Sequence, residues 1–435
     1  MTWRITWART TSRVKRRTLG LLLWLSRGAA SDPAAMLSRF SDEALMPLRR
    51  IGLDPVPELA AANERGPVTR LKLPLGLRGW LITGYDETRA VLGAGPTAFS
   101  NDFTNMVGKV GIAADQDPGG LGFTDPPQHT RLRHLLTPHF TTRALAAWAP
   151  RITQIVDDAL DELAREGADG ATVDLQRHFA TQIPSRTIME LLGVPESERE
   201  DFQRFSTARF DVSSGAVGSL DVIGEAVEYL RRIVAEQRRD PGEGLIGQIL
   251  RDHGDRIDDV ELAGLVDGVL TGGLETTVSM LSLGTLVMLQ RPDLAESIRA
   301  DEVGTEAFVE ELLRYLTVVQ VGFPRFARRD MMLGGHHLLA GDIVVPSLIG
   351  ANRDRRRGDA LDEVQPGRPA NGHLAFGHGL HRCVGAELAR LELRLAYPAL
   401  ARRFPHVRLA IEPTELAFRE LSVVYGLTEL PVVLA

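Results

Sequence analysis

Apolar side chains recur along most of this chain at three- and four-residue intervals, the spacing that lines one face of an α-helix. Helical patterning runs over 143–165, 176–192, 197–211 and 219–239, then most strongly over 258–290 and 303–315. Toward each end the period shortens. Val68–Leu73 and Trp80–Thr83 read as a small hairpin, its β-type residues broken by Pro74, Gly76 and Gly79, and Asp86–Leu92 begins the helices. In Asp125-Pro-Pro-Gln-His, Asp125 reads as an N-cap with the prolines in the first turn, where a missing N–H costs nothing, and that helix runs to about Phe140. Residues 323–346 read as strand and turn, 350–375 as an irregular stretch rich in Arg, Gly, Asp and Pro, and Cys383–Arg402 as a last long helix. The pattern predicts a mainly helical fold with small β-elements near both ends and no internal repeat.

Composition narrows the class. The 435 residues are 44% hydrophobic and 25% charged, as in a folded, soluble protein, and no Ser/Gly- or Pro-rich linker divides them. One large domain over 46–435 follows, preceded by a basic extension over 1–45. Arg4, Arg9, Arg13, Lys15, Arg16, Arg17 and Arg27 all come before the first acid, Asp32. The apolar stretch Leu19–Leu25 behind Arg16 and Arg17 admits a loosely docked tail, contact with a membrane surface, or export. Its shortness and the lack of a small-residue cleavage site favour the tail. A net charge of -7 argues against general nucleic-acid binding, and no apolar run approaches the roughly 20 residues that cross a bilayer. The single cysteine excludes a disulfide framework, a four-cysteine iron–sulfur site and a Cys-rich zinc site, and fits a reducing, cytoplasmic compartment.

Cys383 sits in Phe376-Gly-His-Gly-Leu-His-Arg-Cys383-Val-Gly385. Gly377, Gly379 and Gly385 let backbone approach something flat, while the loop delivers one thiol to a helix start, where N–H groups stabilise a thiolate. Such a thiolate is a proximal haem ligand; the same spacing also suits a glycine-rich loop with an incidental cysteine. Phe376, Gly379, Cys383 and Gly385 match the signature F-x-x-G-x-x-x-C-x-G, with Gly377 and His381 also at preferred positions, and the segment resembles the haem-binding loop of cytochromes P450.

Three further segments carry the resemblance. Glu311 and Arg314 lie at i,i+3 on one helical face, ordinarily a surface bridge worth about 0–1 kcal/mol; they match the family's E-x-x-R pair, which braces the haem-side core. Its third partner is normally a later basic residue, and Glu363-Val364-Gln365 departs from that pattern, leaving Arg368 as the substitute. In Gly272-Gly273-Leu274-Glu275-Thr276-Thr277, two mid-helix glycines cost roughly 1 kcal/mol each relative to alanine and alone indicate close packing. The segment resembles the family's widened central helix, in which Glu275 and Thr276 match the acid and alcohol that deliver protons for oxygen chemistry. His129 and Arg133, at i,i+4 on one helix face, alone read as a basic surface. They resemble the family's D-P-P-x-H-x-x-x-R contacts to a haem propionate, as Arg325 and His381 resemble further propionate contacts.

The resemblance covers about residue 50 to 435. It implies a single triangular P450 domain with haem b, bound by Cys383, between the central helix and the cysteine helix. It further implies a monomeric enzyme reduced by a separate ferredoxin or flavodoxin, whose reductase draws on NAD(P)H. Arg131, Arg382, Arg390 and Arg394 would offer an acidic partner positive charge on the cysteine face, or form solvated helix faces. The pocket would draw on Phe103, Met106, Leu265, Val269, Val318, Val319, Val321 and Val424, with Gly268 and Gly272 beside them. A medium-to-large apolar or amphipathic molecule, free or carrier-bound, fits these residues, and biosynthetic tailoring follows from the resemblance. The implied activity is hydroxylation or epoxidation; oxidative coupling on the same haem, and a haem-binding sensor or scaffold without turnover, stay open.

Overall fold

The computed structural model describes residues 41–73, 77–102, 121–198, 201, 216–300, 302–369 and 372–434, with backbone only at 196, 216–227 and 302–303. The basic extension to residue 40 and most of the 197–211 helix prediction lie outside these residues. Helices are α1 (Asp42–Leu45), α2 (Pro57–Arg65), α3 (Tyr85–Gly93), α4 (Gln128–Leu136), α5 (Thr142–Ala146), α6 (Ala149–Glu166), α7 (Gln182–Leu192), α8 (Ala216–Arg239), α9 (Leu245–His253), α10 (Asp259–Gln290), α11 (Pro292–Ala300), α12 (Glu302–Leu316), α13 (Leu348–Asn352) and α14 (Ala386–Arg403). Strands are β1 (Arg50–Ile51), β2 (Asp54–Pro55), β3 (Val68–Lys72), β4 (Arg78–Ile82), β5 (Phe99–Ser100), β6 (Thr172–Asp174), β7 (Arg325–Ala327), β8 (Met331–Leu333), β9 (His336–Leu338), β10 (Ile343–Pro346), β11 (Arg408–Leu409) and β12 (Pro431–Val433).

The central element is α10. Asp258 caps it, its carboxylate accepting from the Glu261 amide at 2.8 Å, and apolar residues then occupy almost every side rather than one stripe. By length and composition this helix could cross a membrane, which departs from the expectation that no such apolar run exists; most of it is enclosed by protein instead. It packs against α7, α8, α12 and α14, whose buried faces join it in the largest core cluster. Around it, α6 shows the amphipathic alternative, burying Ile152, Ile155, Val156, Ala159, Leu160 and Leu163 on one stripe.

The predicted hairpin forms as β3 and β4, with Leu71 opposite Gly79. It is then extended by a chain segment far away in sequence: β10 pairs parallel with β4, giving the order β3-β4-β10-β7-β5. A second sheet, β11-β12-β6, ties the C-terminus to the segment before α7. Five of these helices lack a counterpart in the sequence reading: the short α1 and α13; α2 and α11, each with proline in its first turn; and α9.

Two boundaries differ for identifiable reasons. Asp125 does not cap α4, which starts at Gln128. Its carboxylate instead accepts from the Ser100 hydroxyl and, at 3.1 Å, from the Asn101 amide, joining the end of β5 to the approach to α4. The last helix begins at Ala386, so Cys383 precedes it within an irregular turn.

Candidate functional site

A cavity of about 980 Å³ opens between α10 and the loop before α14. On one wall the Cys383 amide donates to the Phe376 carbonyl at 2.9 Å, closing the loop on itself. Gly377 and Gly379 take φ of +68° and +73°, and a Cβ on Gly379 would stand 2.5 Å from the Leu92 carbonyl oxygen, so glycine is required there. Arg390 stacks over the Phe376 ring at 4.7 Å. Cys383 is enclosed by protein, and its open surface lines the cavity. Burial pushes its thiol above the ordinary range, against the Gly385 amide and the charges of Arg133, Arg382 and Arg390. The expected thiolate stabilisation by a helix start is therefore outweighed in the protein alone; an iron ligated by the sulfur would deprotonate it.

The facing wall is the middle of α10. Gly272, Gly273, Thr276 and Thr277 line the cavity, and the Thr276 hydroxyl donates to the Gly272 carbonyl at 2.7 Å. The two glycines differ in purpose. A Cβ on Gly273 would meet Ile188 at 2.6 Å, whereas a Cβ on Gly272 would meet nothing within 4 Å, and the same holds for Gly385 on the cysteine side. Glu275 does not line the cavity: it is buried and ion-paired with Arg419, whose second nitrogen donates to the Ser279 hydroxyl at 2.7 Å.

Along one edge the cavity is bordered by His129, Arg133, Arg325 and His381, drawn from α4, β7 and the cysteine loop. The His129 and His381 rings lie 4.2 Å apart. Both His129 nitrogens, Arg325 Nη1 and His381 Nδ1 are buried without a hydrogen-bond partner. Burial, with Arg325 and His129 alongside, lowers the His381 pKa to about 3; burial likewise lowers that of Arg325 to about 10. Buried donors converging without an acceptor fit the carboxylates of an anionic group.

Glu311 and Arg314 form the predicted brace, and it is buried. Arg314 meets the Glu311 carboxylate in a fork, at 2.8 and 2.9 Å, and donates to the carbonyls of Asn352, Leu361 and Glu363. Arg368 approaches Glu311 at 3.4 Å, so the substitute third partner is in place despite Glu363-Val364-Gln365. Asn352 continues the brace to the cysteine loop, its side chain accepting from the Leu374 amide at 2.8 Å. Leu265, Val269, Val318, Val319, Val321 and Val424 all line the cavity, with Val319 and Val424 joined by an antiparallel bridge. Phe103 and Met106 lie outside the described residues.

The family model described as "Cytochrome P450" matches residues 60–240 and 221–417. The chain belongs to the cytochrome P450 family. It is 39% identical over 393 residues to cytochrome P450 165B3 of Amycolatopsis orientalis, covering 88% of this chain and 97% of that one. Mycinamicin IV hydroxylase/epoxidase of Micromonospora griseorubida is 35% identical, covering 85% and 93%. Among solved structures, P450 StaH from glycopeptide antibiotic biosynthesis is 41% identical with a TM-score of 0.79, covering 89% of this chain and 99% of that one. OxyC, implicated in an oxidative C–C coupling reaction during vancomycin biosynthesis, is 36% identical with a TM-score of 0.79, covering 89% and 95%. The fold is thus the P450 fold, and the activity is that of an oxidoreductase of the P450 monooxygenase class with a haem held by cysteine thiolate.

Other residues of this P450 carry less free charge, or more chemistry, than their sequence positions indicate. Arg131 pairs with Glu261, Arg394 with Glu306 at 3.5 Å, and Arg390 with both Glu310 and Glu387. Burial would raise Glu310, yet hydrogen bonds from His373 and Arg390 hold its pKa at about 2, so its charge cancels that of Arg390. Arg382, which approaches Glu387 at 3.7 Å, and Arg89 flank His378 beside the exposed Leu380 and keep more of theirs on the cysteine face. Sequence reasoning missed Arg419 and Glu392. Arg419 carried no local signal, whereas Glu392 falls on the Leu388–Ala396 stripe that α14 buries.

Proposed function

We propose that this P450 inserts one oxygen atom of dioxygen into an unactivated C–H bond, or epoxidises an alkene, of a medium-to-large apolar or amphipathic natural product. The observation that carries this reading is the cavity itself. Cys383 faces the open Gly272–Thr276 wall, orphaned donors border one edge, and Gly272 and Gly385 leave space on opposing walls. These residues fit haem b: Cys383 would hold the iron, His129, Arg133, Arg325 and His381 the propionates, with Phe376, Gly377 and Gly385 forming the surface beneath the ring. When bound, the haem supplies dioxygen binding and activation by two electrons.

The chain's own residues do the rest. Donation by the Thr276 hydroxyl to Gly272 leaves its lone pairs open to accept from cavity water. Glu275, once it leaves Arg419, takes up protons from solvent and passes them to cavity water. The valines at 318, 319, 321 and 424 orient an apolar substrate and exclude water from it. Electrons come from a cytoplasmic ferredoxin or flavodoxin and its NAD(P)H-dependent reductase, docking on a monomer at the cysteine face.

A second reading, oxidative coupling, is favoured by similarity to OxyC. A solved complex of the X-domain and OxyB from teicoplanin biosynthesis, 39% identical to this chain, supports docking of a partner domain on this fold. Product mass separates the two: a gain of one oxygen against a loss of two hydrogens. The cofactor assignment is tested by the spectrum of the reduced protein with carbon monoxide. A strongly red-shifted Soret band, lost in Cys383→Ser, supports it; a histidine-type band in the native protein overturns it.

A further inference from the structure

We infer that Glu310 sets the charge felt by the Cys383 sulfur, acting through Arg390, and so tunes the reduction potential of an iron held there. Glu310 is thus a positioning residue, and the inference rests on the assignment of Cys383 as the iron ligand.

Two adjacent carboxylates on α12 have different partners. Glu311 belongs to the brace, whereas Glu310 is met by Arg390 of α14 in a fork, Nε donating to one oxygen at 2.6 Å and Nη2 to the other at 2.9 Å. His373 completes the cluster from the chain that leads into the cysteine loop. Its Nδ1 lies 3.2 Å from the Ala375 amide, which can only donate, so that nitrogen carries no proton. The ring is therefore the neutral form with its proton on Nε2, which donates to Glu310 at 3.2 Å, and His373 adds a hydrogen bond but no charge. Arg390 in turn stacks on the Phe376 ring at 4.7 Å, and the Phe376 carbonyl accepts from the Cys383 amide at 2.9 Å. The guanidinium thus packs on the residue to which the ligand's own amide is bonded.

The charges beside the loop balance only with Glu310 in place. Two guanidiniums, Arg382 and Arg390, stand with two carboxylates, Glu310 and Glu387, the latter 2.9 Å from Arg390 and 3.7 Å from Arg382. Burial raises the Cys383 pKa while Arg133, Arg382 and Arg390 oppose the rise, so the charge of these arginines reaches the sulfur. Without Glu310, two cations share one carboxylate. The uncompensated charge then falls on Arg390, whose side chain is only 15% exposed and is weakly screened by water. An electron added to sulfur-bound iron adds negative charge near that guanidinium, so excess positive charge favours the reduced form and draws electron density from the thiolate. Glu310 keeps the potential low and the sulfur donating. Neither Glu310, Glu387 nor Arg390 lines the cavity, so this effect does not pass through substrate contacts.

The test is the ferric–ferrous potential of haem-loaded protein, read by dye-mediated reductive titration without a protein redox partner. Glu310→Gln, which keeps the shape and an acceptor for His373, is expected to shift the equilibrium several-fold toward the ferrous form. Arg390→Gln is expected to shift it in the opposite direction, and the double variant, with the charge balance restored, to return close to native. Glu310→Asp, which keeps the charge, should also stay close to native. The C–O stretch of the ferrous carbon monoxide complex should rise in Glu310→Gln and fall in Arg390→Gln. Shifts of the same sign in both single variants, as a purely structural brace would give, or no shift in either, overturn the inference. A thiolate-type carbon monoxide band in every variant shows that Cys383 ligation holds; its absence from the native protein would instead be failure of the ligand assignment.

Discussion

Around the cavity, the chemistry depends on where each hydroxyl and carboxyl spends its proton. Thr276 donates backward to Gly272, so its oxygen serves the cavity as an acceptor. Thr276→Ala removes that acceptor and leaves the Cys383 side untouched. The expected result is near-native haem content with NADPH consumption diverted to peroxide, read as a several-fold fall in product per NADPH; unchanged coupling would remove Thr276 from proton delivery. Glu392 yields a prediction about stability. Its folded pKa, about 8, lies above the ordinary glutamate value of 4.5, so the folded state binds a proton that the unfolded chain has lost between these limits. This contribution is fully present below about pH 4.5 and is lost as pH rises toward 8, by a few kcal/mol in total. Urea titrations should show that decline in the native protein, and Glu392→Gln, which cannot ionise, should flatten the slope and be the more stable form near pH 8.

At the level of elements, the brace from α12 through Asn352 to the cysteine loop ties the ligand loop to the helical core. Glu311→Ala leaves the Arg314 guanidinium buried with carbonyls but no counter-charge, a change worth about 3–5 kcal/mol. Thermal unfolding should move accordingly and the purified protein should carry less haem, although Glu311 does not line the cavity. Glu310→Ala, which leaves Arg390 with Glu387 as its counter-charge, should cost less. These elements also show what the sequence made legible. The cysteine loop could be read because its glycines answer local demands, a positive φ and a backbone contact at Gly379, and Glu311 and Arg314 because a helix turn brings them together. The predicted hairpin formed for the same local reason. Pairings across long separations left no such trace: Arg419 reaches Glu275 over 144 residues, and Asp125 serves β5 rather than its own helix. Glu392 stood in an apolar stripe, but its raised pKa follows from burial, against a hydrogen bond with Thr187 on another helix that lowers it.

For the molecule as a whole, net charge sets the terms of electron delivery. A chain carrying -7 repels an acidic ferredoxin at long range, so productive encounter depends on a local positive patch. The structure removes most of the arginines that sequence position offered: Arg390 is cancelled by Glu310 and Glu387, Arg394 faces Glu306, and Arg131 faces Glu261. Arg89, and Arg382 with its looser 3.7 Å approach to Glu387, are left beside the exposed Leu380, an apolar centre with a charged rim, which is how transient interfaces are commonly built. Arg382 also lines the cavity, so Arg89 is the cleaner probe. Arg89→Glu should leave the carbon monoxide spectrum and substrate binding unchanged while slowing reduction by an acidic ferredoxin roughly ten-fold at low salt. Because the effect is steering between exposed charges, native and variant rates should converge as ionic strength approaches about 1 M, where the screening length falls to about 3 Å. Stopped-flow reduction at several salt concentrations reads this directly. A rate loss that persists at high salt would mean that Arg89 acts through the fold of the cysteine face, and equal rates at low salt would place the partner elsewhere on the surface.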